Sequence, residues 1–185
     1  MSGRHVAARD HSGAPMTGTI ASDRQRTLII GNGGSGKTWL ARRLGERFGI
    51  AVIHLDDLRW QPGSYGKARD NRLVVNEVVQ AAQAGTWLME GVYGWLAEAV
   101  MARATQLIWI DLPEAECLAN VRERGLQGGG SEQDFRDLLQ WVGEYRLRNN
   151  SSCFAAQSRL YEAFAGPKQR LKGRAELSAC LDALG

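Results

Sequence analysis

One glycine-rich segment constrains this sequence more than any other: residues 31–38 read Gly-Asn-Gly-Gly-Ser-Gly-Lys-Thr and match the pattern GxxxxGK[ST]. An apolar run over 27–30 precedes the segment, and apolar residues follow it at helical spacing over 37–48. In such an arrangement, loop N–H groups and the helix N-terminus converge on a polyphosphate. The segment therefore predicts a strand, a phosphate-binding loop and a helix, in that order.

All eight residues of this loop are predicted to contact ATP: Gly31, Asn32, Gly33, Gly34, Ser35, Gly36, Lys37 and Thr38. Lys37 is expected to reach the β- and γ-phosphates, and the Thr38 hydroxyl is expected to bind Mg²⁺. The predicted cofactors are thus ATP and Mg²⁺. The pattern leaves open whether ATP is preferred over GTP, although the Asn-Lys-x-Asp motif of GTPases is absent from the sequence.

The rest of the chain alternates short apolar runs with helical patterns, which is typical of a parallel sheet covered by helices on both faces. The predicted strands cover 27–30, 51–55, 86–89 and 106–110, with a weaker strand near 170–171. The predicted helices cover 37–48, 69–84, 95–104, 114–124, 131–148, 155–165 and 175–184. The fold class predicted from this order is a three-layer α/β fold with a parallel central sheet.

Length and composition fit one globular domain, since the chain has 185 residues, of which 44% are hydrophobic and 23% are charged. We assign this domain to residues 26–185 and interpret residues 1–25, which lack periodicity and a signal-like apolar stretch, as a leader or disordered tail. No apolar run reaches membrane-spanning length. Three widely spaced cysteines form no metal-binding pattern. These features predict a cytoplasmic protein without a membrane partner.

The net charge of +3 comes from 23 basic residues, of which only four are lysines. Arginine suits bidentate binding of phosphate, but an arginine-rich composition can also reflect genome composition alone. No basic run with interleaved aromatic residues is present, which argues against nucleic acid as the main partner. The sequence leaves the oligomeric state open.

Three segments together resemble a known family: the loop at 31–38, His-Leu-Asp-Asp-Leu at 54–58 and Glu-Gly-Val-Tyr at 90–93. The chain resembles adenylate-kinase-related P-loop kinases, most closely the topology-modulation-like branch, over residues 27–184. The resemblance implies a nucleoside-monophosphate-kinase-like fold, with a substrate-binding helical segment after the second strand. It also implies a lid over the phosphates, here reduced to the glycine-rich residues 125–130.

The resemblance also implies roles for individual side chains. Glu90 falls where these kinases place an aspartate that holds Mg²⁺ through water. Arg122 and Arg124 resemble the arginines at the base of the lid, and Arg146 and Arg148 resemble the pair that completes an arginine clamp on the transferred phosphoryl group. Such a clamp is what phosphoryl transfer requires, because charge spreads over the phosphoryl oxygens.

The acidic pair Asp56 and Asp57 follows the second predicted strand, at the sheet edge where open α/β sheets bind ligands. We expect Asp56 to face the site, because it directly follows the strand. Arg59, Arg69 and Arg72 lie in the segment that forms the acceptor site in the related kinases. The expected partner is a small-molecule phosphate acceptor.

Two kinds of acceptor remain open, since a nucleoside monophosphate needs arginines, whereas a hydroxyl compound benefits from a carboxylate that accepts its proton. Both residue types are present. The predicted function is an ATP-dependent kinase of a small acceptor. The alternative is a non-catalytic ATP-binding regulatory protein.

Overall fold

The computed structural model describes residues 25–61, 66–126 and 130–183. Its centre is a five-stranded sheet in which every pair of neighbouring strands is parallel. The strands are β1 (Arg26–Gly31), β2 (Val52–His54), β3 (Trp87–Gly91), β4 (Gln106–Ile110) and β5 (Lys168–Leu171). Parallel neighbours need crossover connections, and the helices between the strands supply them.

Eight helices occur in the described part of the chain. They are α1 (Lys37–Phe48), α2 (Leu55–Arg59), α3 (Asn71–Ala81), α4 (Gly94–Met101), α5 (Glu114–Arg124), α6 (Glu132–Gly143), α7 (Phe154–Ala163) and α8 (Arg174–Ala183). Among these helices, none is both long and apolar enough to cross a membrane.

Alternate residues of each central strand pack on opposite faces of the sheet. On β1, Leu28 and Ile30 pack with side chains of α3, α4 and α7, whereas Ile29 packs with side chains of α1, α5, α6 and α8. Each face therefore has its own buried cluster. The three-layer α/β fold with a parallel sheet that the sequence predicted is confirmed.

The strand order β2-β3-β1-β4-β5 determines where a ligand can bind. The chain moves outward from β1 to β2, returns to β3, and then crosses to β4 on the other side of β1. A crevice opens at the carboxyl ends of strands where the order reverses in this way. Gly31, at the end of β1, pairs with Ile110 of β4, so the loop that follows β1 enters this crevice.

Several predicted boundaries are wrong. Leu55, assigned from the sequence to the second strand, is the first residue of α2, a helix that the sequence pattern did not predict. Its fully buried side chain fits an apolar strand and a short amphipathic helix equally well. The helix predicted from residue 69 begins at Asn71, because the Asp70 carboxylate caps it by accepting from the N–H groups of Arg72 and Leu73.

The third strand extends to Gly91, so Glu90 lies within the strand and not after it. The helix predicted over 131–148 ends at Gly143 and is followed by turns. Residues 1–24 and 127–129 lie outside the described residues, so the leader and the lid, half of whose six residues are among them, remain predictions.

Candidate active site

The predicted phosphate-binding loop lies between β1 and α1, as the sequence pattern places it. Gly34 and Gly36 have φ angles of 75° and 94°, in the left-handed region that glycine adopts without strain. A Cβ added at Gly34 would clash with the carbonyl oxygen of Cys117 and would lie 2.8 Å from Cγ2 of Val121. Close packing against α5 therefore requires glycine at this position.

We expect Gly34→Ala to destabilise the fold by about 2–5 kcal/mol, because a left-handed backbone costs about 1–2 kcal/mol and the clash about 1–3 kcal/mol. Gly49→Ala is the matched control, since its φ is 66° but no atom lies within 4 Å of the added Cβ. The control should lose only about 1–2 kcal/mol. Urea denaturation measures both losses, and equal losses would show that loop packing does not require Gly34.

Lys37 is the first residue of α1 and its side chain is buried. Its Nζ donates to the backbone carbonyl of Asn32 at 2.8 Å, within the loop itself. The Asn32 amide donates to the carbonyl of Val142 on α6 at 2.9 Å and accepts from the N–H of Gly33. The loop is thereby tied to α6, and the ammonium group of Lys37 is held against the loop backbone.

Thr38 and Glu90 meet at the carboxyl end of β3. The Thr38 hydroxyl donates to Glu90 Oε1 at 2.9 Å, and the same oxygen lies 2.6 Å from Nδ1 of His54 on β2. Glu90 is 2% exposed, and its Oε2 is buried without a hydrogen-bond partner among the described residues. A buried carboxylate oxygen without a partner is costly unless a ligand or water satisfies it.

A small cavity of about 220 Å³ adjoins this carboxylate. The described residues that line it are Thr38, Arg42, His54, Asp56, Asp57, Glu90 and Arg124. Within the described chain, no group of three or more His, Cys, Asp or Glu side chains could hold a metal by itself. A P-loop Mg²⁺ site needs fewer protein ligands, because the substrate phosphates and waters complete the coordination. The Thr38 hydroxyl and the unpaired Glu90 oxygen fit that kind of site.

Asp56 projects from the first turn of α2 into the same cavity. Its Oδ1 accepts from the N–H of Val92 at 2.9 Å. It also lies close to Gly91, where a Cβ, if one were added, would be only 2.8 Å from this oxygen. Burial, as the largest cause, raises the pKa of Asp56 to about 6, opposed by Lys37 and reinforced by Glu90. Asp57, by contrast, is exposed.

A larger open cavity of about 1860 Å³ extends from the loop in two directions. Toward α5 and α8 its lining includes Asn120, Arg174, Leu177 and Ser178. Toward β2 and β3 its described lining consists of Asp56, Asp57, Trp60, Gln61, Gly66, Val92 and Tyr93, which we call the acceptor end. The phosphate-binding loop lies between these two regions.

The structure separates the arginines that the sequence grouped. Arg124 lines both cavities, whereas Arg122, two residues earlier on α5, lines neither. Side chains two apart on a helix point to different faces. Arg146 pairs with Asp111 at 2.8 Å and with Glu114 at 2.5 Å, so it would have to leave both partners to reach a phosphate.

Arg148 is held against the neighbouring helix. Its guanidinium carbon lies 3.5 Å from the centroid of the Trp141 ring, and its Nη2 donates to the carbonyl of Ser152. Its Nε and Nη1 are buried without a hydrogen-bond partner among the described residues.

Sequence reasoning did not assign roles to Arg42 and His54. Arg42 lies four residues after Thr38 on α1, so both project from the same helix face into the small cavity. This spacing is a signal that could have identified Arg42. His54 reaches Glu90 because β2 pairs with β3 in register at these two residues. That pairing could not be inferred from strand positions alone.

Gln157 on α7 was also missed. It is fully buried, and its amide nitrogen donates to the carbonyls of Gly31, at 3.4 Å, and Val92, at 3.2 Å. Its amide oxygen accepts from the Tyr145 hydroxyl at 2.7 Å. Because the N–H of Val92 holds Asp56, Gln157 connects the start of the phosphate-binding loop to the segment that orients this carboxylate.

A search against models of protein families finds no match to this sequence, and no curated protein matches it either. Solved structures do share its fold. One is the crystal structure of a sugar kinase from Janibacter sp. HTCC2649, determined without a ligand, with a TM-score of 0.52. The two sequences are 12% identical, and the match covers 86% of this chain and 94% of that one. At this identity the likeness shows the fold alone.

Proposed function

We propose that this protein is an ATP-dependent phosphotransferase acting on a small molecule. The observation that supports it best is the juxtaposition of the glycine-rich loop, the Thr38–Glu90 pair and the half-buried Asp56 around one cavity. The loop and α1 would bind the phosphates, with Lys37 exchanging the Asn32 carbonyl for a phosphate oxygen. The assignment to the topology-modulation-like branch stays a prediction from the sequence.

Different residues of the two cavities would contact the nucleotide base and the transferred phosphoryl group. Asn120 and Leu177 would flank the nucleotide base, because they line the cavity on the α5 and α8 side of the loop. Arg42 and Arg124 would neutralise charge on the transferred phosphoryl group, since both line the small cavity beside Thr38. Arg122 and Arg146, which the sequence also suggested for this clamp, would join it only after moving.

Mg²⁺ fits the site through the Thr38 hydroxyl and, by way of water, Glu90. The chemistry that the ion supplies at such a site is neutralisation of charge on the β- and γ-phosphates. The His54 ring holds the Glu90 carboxylate in place through a 2.6 Å contact. Thr38 and His54 therefore both hold Oε1 of Glu90, while Oε2 has no hydrogen-bond partner among the described residues.

A phosphate-transfer screen tests the proposed function. The purified protein is incubated with ATP, Mg²⁺ and panels of nucleotides, sugars and small alcohols, and ADP formation is compared with the rate without acceptor. At least one acceptor should raise that rate. A non-catalytic ATP-binding regulatory protein would bind ATP, but no compound would raise its rate of ADP formation. Absence of ATP binding would rule out both functions.

We expect Glu90→Gln to keep ATP affinity within about threefold while lowering Mg²⁺-dependent turnover about a hundredfold, as loss of a metal-organising group does. Glutamine can still accept from Thr38, but it removes the charge that orders the water shell of the ion. Glu98→Gln, at an exposed position on α4, is the control. Calorimetry and steady-state kinetics measure the two effects. Wild-type turnover in Glu90→Gln would assign Glu90 to structure.

A further inference from the structure

The acceptor end of the cavity is negatively charged and aromatic. Among its seven described lining residues, two are aspartates and two are the aromatic residues Trp60 and Tyr93, and none is lysine or arginine. The arginines of the large cavity all lie on α1, α5 and α8, beside the loop and the nucleotide region. The described lining outside the acceptor end holds five lysine or arginine residues and three acidic ones, so the two ends of the cavity differ in charge.

The two arginines that follow β2 are bound by neighbouring groups and are not among the described lining residues of the acceptor end. Arg59 donates to the carbonyl of Arg69 at 2.6 Å, and its guanidinium lies over the rings of Trp60 and Trp95. Arg69 forms an ion pair with Glu77. Neither arginine lines the cavity, so neither is placed to bind a phosphate there.

Arg72 and Lys67 complete the cations of this segment. Both are exposed, and neither lines the cavity among the described residues. Arg42 and Arg124 line the small cavity with Asp56 and Asp57, on the side of Thr38 and the loop. A phosphate dianion in the acceptor end would therefore lie against two carboxylates in a lining without lysine or arginine, which is unfavourable at short range.

Two aromatic rings provide a flat apolar surface beside these carboxylates. The ring centroids of Trp60 and Tyr93 are 6.4 Å apart in the edge-to-face arrangement that aromatic pairs favour. Burial, and then the charge of Asp56, raises the pKa of Tyr93 to about 12, so its hydroxyl remains a donor at neutral pH. The acceptor end thus combines hydrogen-bond acceptors, one hydroxyl donor and an apolar face.

We propose that the acceptor is an alcohol without negative charge, such as a neutral sugar or polyol, which packs its carbon face on Trp60 and directs one hydroxyl to Asp56. This inference rests on the proposed function and specifies its substrate class. A neutral polyhydroxy compound satisfies both carboxylates through its hydroxyl groups, whereas a nucleoside monophosphate would place a dianion against two aspartates.

The transfer step follows from this placement. The acceptor oxygen attacks the γ-phosphorus, the bond between that phosphorus and the β–γ bridging oxygen breaks, and ADP leaves with the bonding electron pair. The hydroxyl proton passes to the Asp56 carboxylate and from there to solvent. The products are the phosphate ester of the alcohol, ADP and one proton.

The test compares two matched acceptor panels with the full-length protein, ATP and Mg²⁺. One panel holds neutral sugars and polyols, and the other holds nucleoside monophosphates and sugar acids. We expect a neutral compound to raise ADP formation at least tenfold above the acceptor-free rate and the anionic panel to have no effect. Acceleration by an anionic acceptor, or by neither panel while ATP still binds, would overturn the inference.

A substitution of Trp60 tests where the acceptor binds. Trp60→Leu should raise the KM for the neutral acceptor at least tenfold and leave the Kd for ATP within twofold, because Trp60 lines only the acceptor end. An unchanged acceptor KM would overturn the placement of the acceptor on Trp60. Failure of wild-type protein to bind ATP would instead overturn the proposed function itself, and calorimetry with ATP alone distinguishes that result.

Discussion

Lys37→Ala should lower the affinity for ATP about a hundredfold, which corresponds to about 3 kcal/mol, the scale of a lost charged hydrogen bond to phosphate. The side chain is buried, and its Nζ bonds only to a loop carbonyl among the contacts described above. In Lys37→Ala, the Asn32 carbonyl can accept a hydrogen bond from loop N–H groups or from water instead. The sheet and helices should therefore persist. Isothermal titration with ATP and Mg²⁺ measures the effect.

Arg159→Ala, which removes an exposed cation on α7 outside both cavities, is the control for a general loss of positive charge. Circular dichroism should show equal helix content in both variants. Nucleotide affinity unchanged from wild type in Lys37→Ala would mean that the loop does not bind polyphosphate.

Asp56→Asn should reduce transfer by about a hundredfold to ten-thousandfold, the range for removing a general base. At pH 7.5 the same substitution should stabilise the fold by about 2–3 kcal/mol, since a carboxyl with a folded pKa of about 6 and an ordinary value of 3.8 is costly to ionise when buried. Asparagine keeps the acceptor for the Val92 N–H. Kinetics and urea denaturation measure the two effects.

The sign of the pH dependence follows from the raised pKa of Asp56. The folded protein holds this proton more tightly than the unfolded chain, so the wild type loses stability as pH rises from about 3.8 to about 6. The stability gain of Asp56→Asn should therefore be present above pH 6 and vanish below pH 4. Turnover of the wild type should rise with pH through about 6, as the carboxylate forms.

Asp57→Asn provides the stability control, because Asp57 is exposed and its replacement should change the free energy of unfolding by less than about 0.5 kcal/mol. Full transfer activity in Asp56→Asn would remove Asp56 from the chemistry. Equal stability of Asp56→Asn and wild type at pH 7.5 would mean that the fold does not raise the pKa of Asp56.

The fold could be predicted from the sequence because its evidence is local. Each central strand is a continuous apolar run, and the glycine-rich loop marks the junction of β1 and α1. Leu55 shows the limit of this reasoning, since one buried leucine at a strand end does not reveal whether the next residues extend or form a helix. The first turn of α2 is what aims Asp56 at the cavity.

The site was harder to predict, because its remaining residues depend on tertiary pairing. Arg122 and Arg124 have the same chemistry, and only the rotation of α5 against the loop decides which one lines the cavity. The Asp111 and Glu114 partners of Arg146 precede it by more than thirty residues. Gln157 in turn contacts a carbonyl 126 residues away in the chain. Sequence patterns carry no signal for such contacts.

Phosphorus NMR of the wild-type protein with ATP, Mg²⁺ and the panels of sugars, polyols and nucleotides tests the central claim most directly. We expect the γ-phosphate signal of ATP to be lost while ADP and a phosphorylated acceptor appear in equal amounts, and we expect Asp56→Asn to slow both changes together. Inorganic phosphate as the sole product with every acceptor, or unchanged ATP signals, would contradict it.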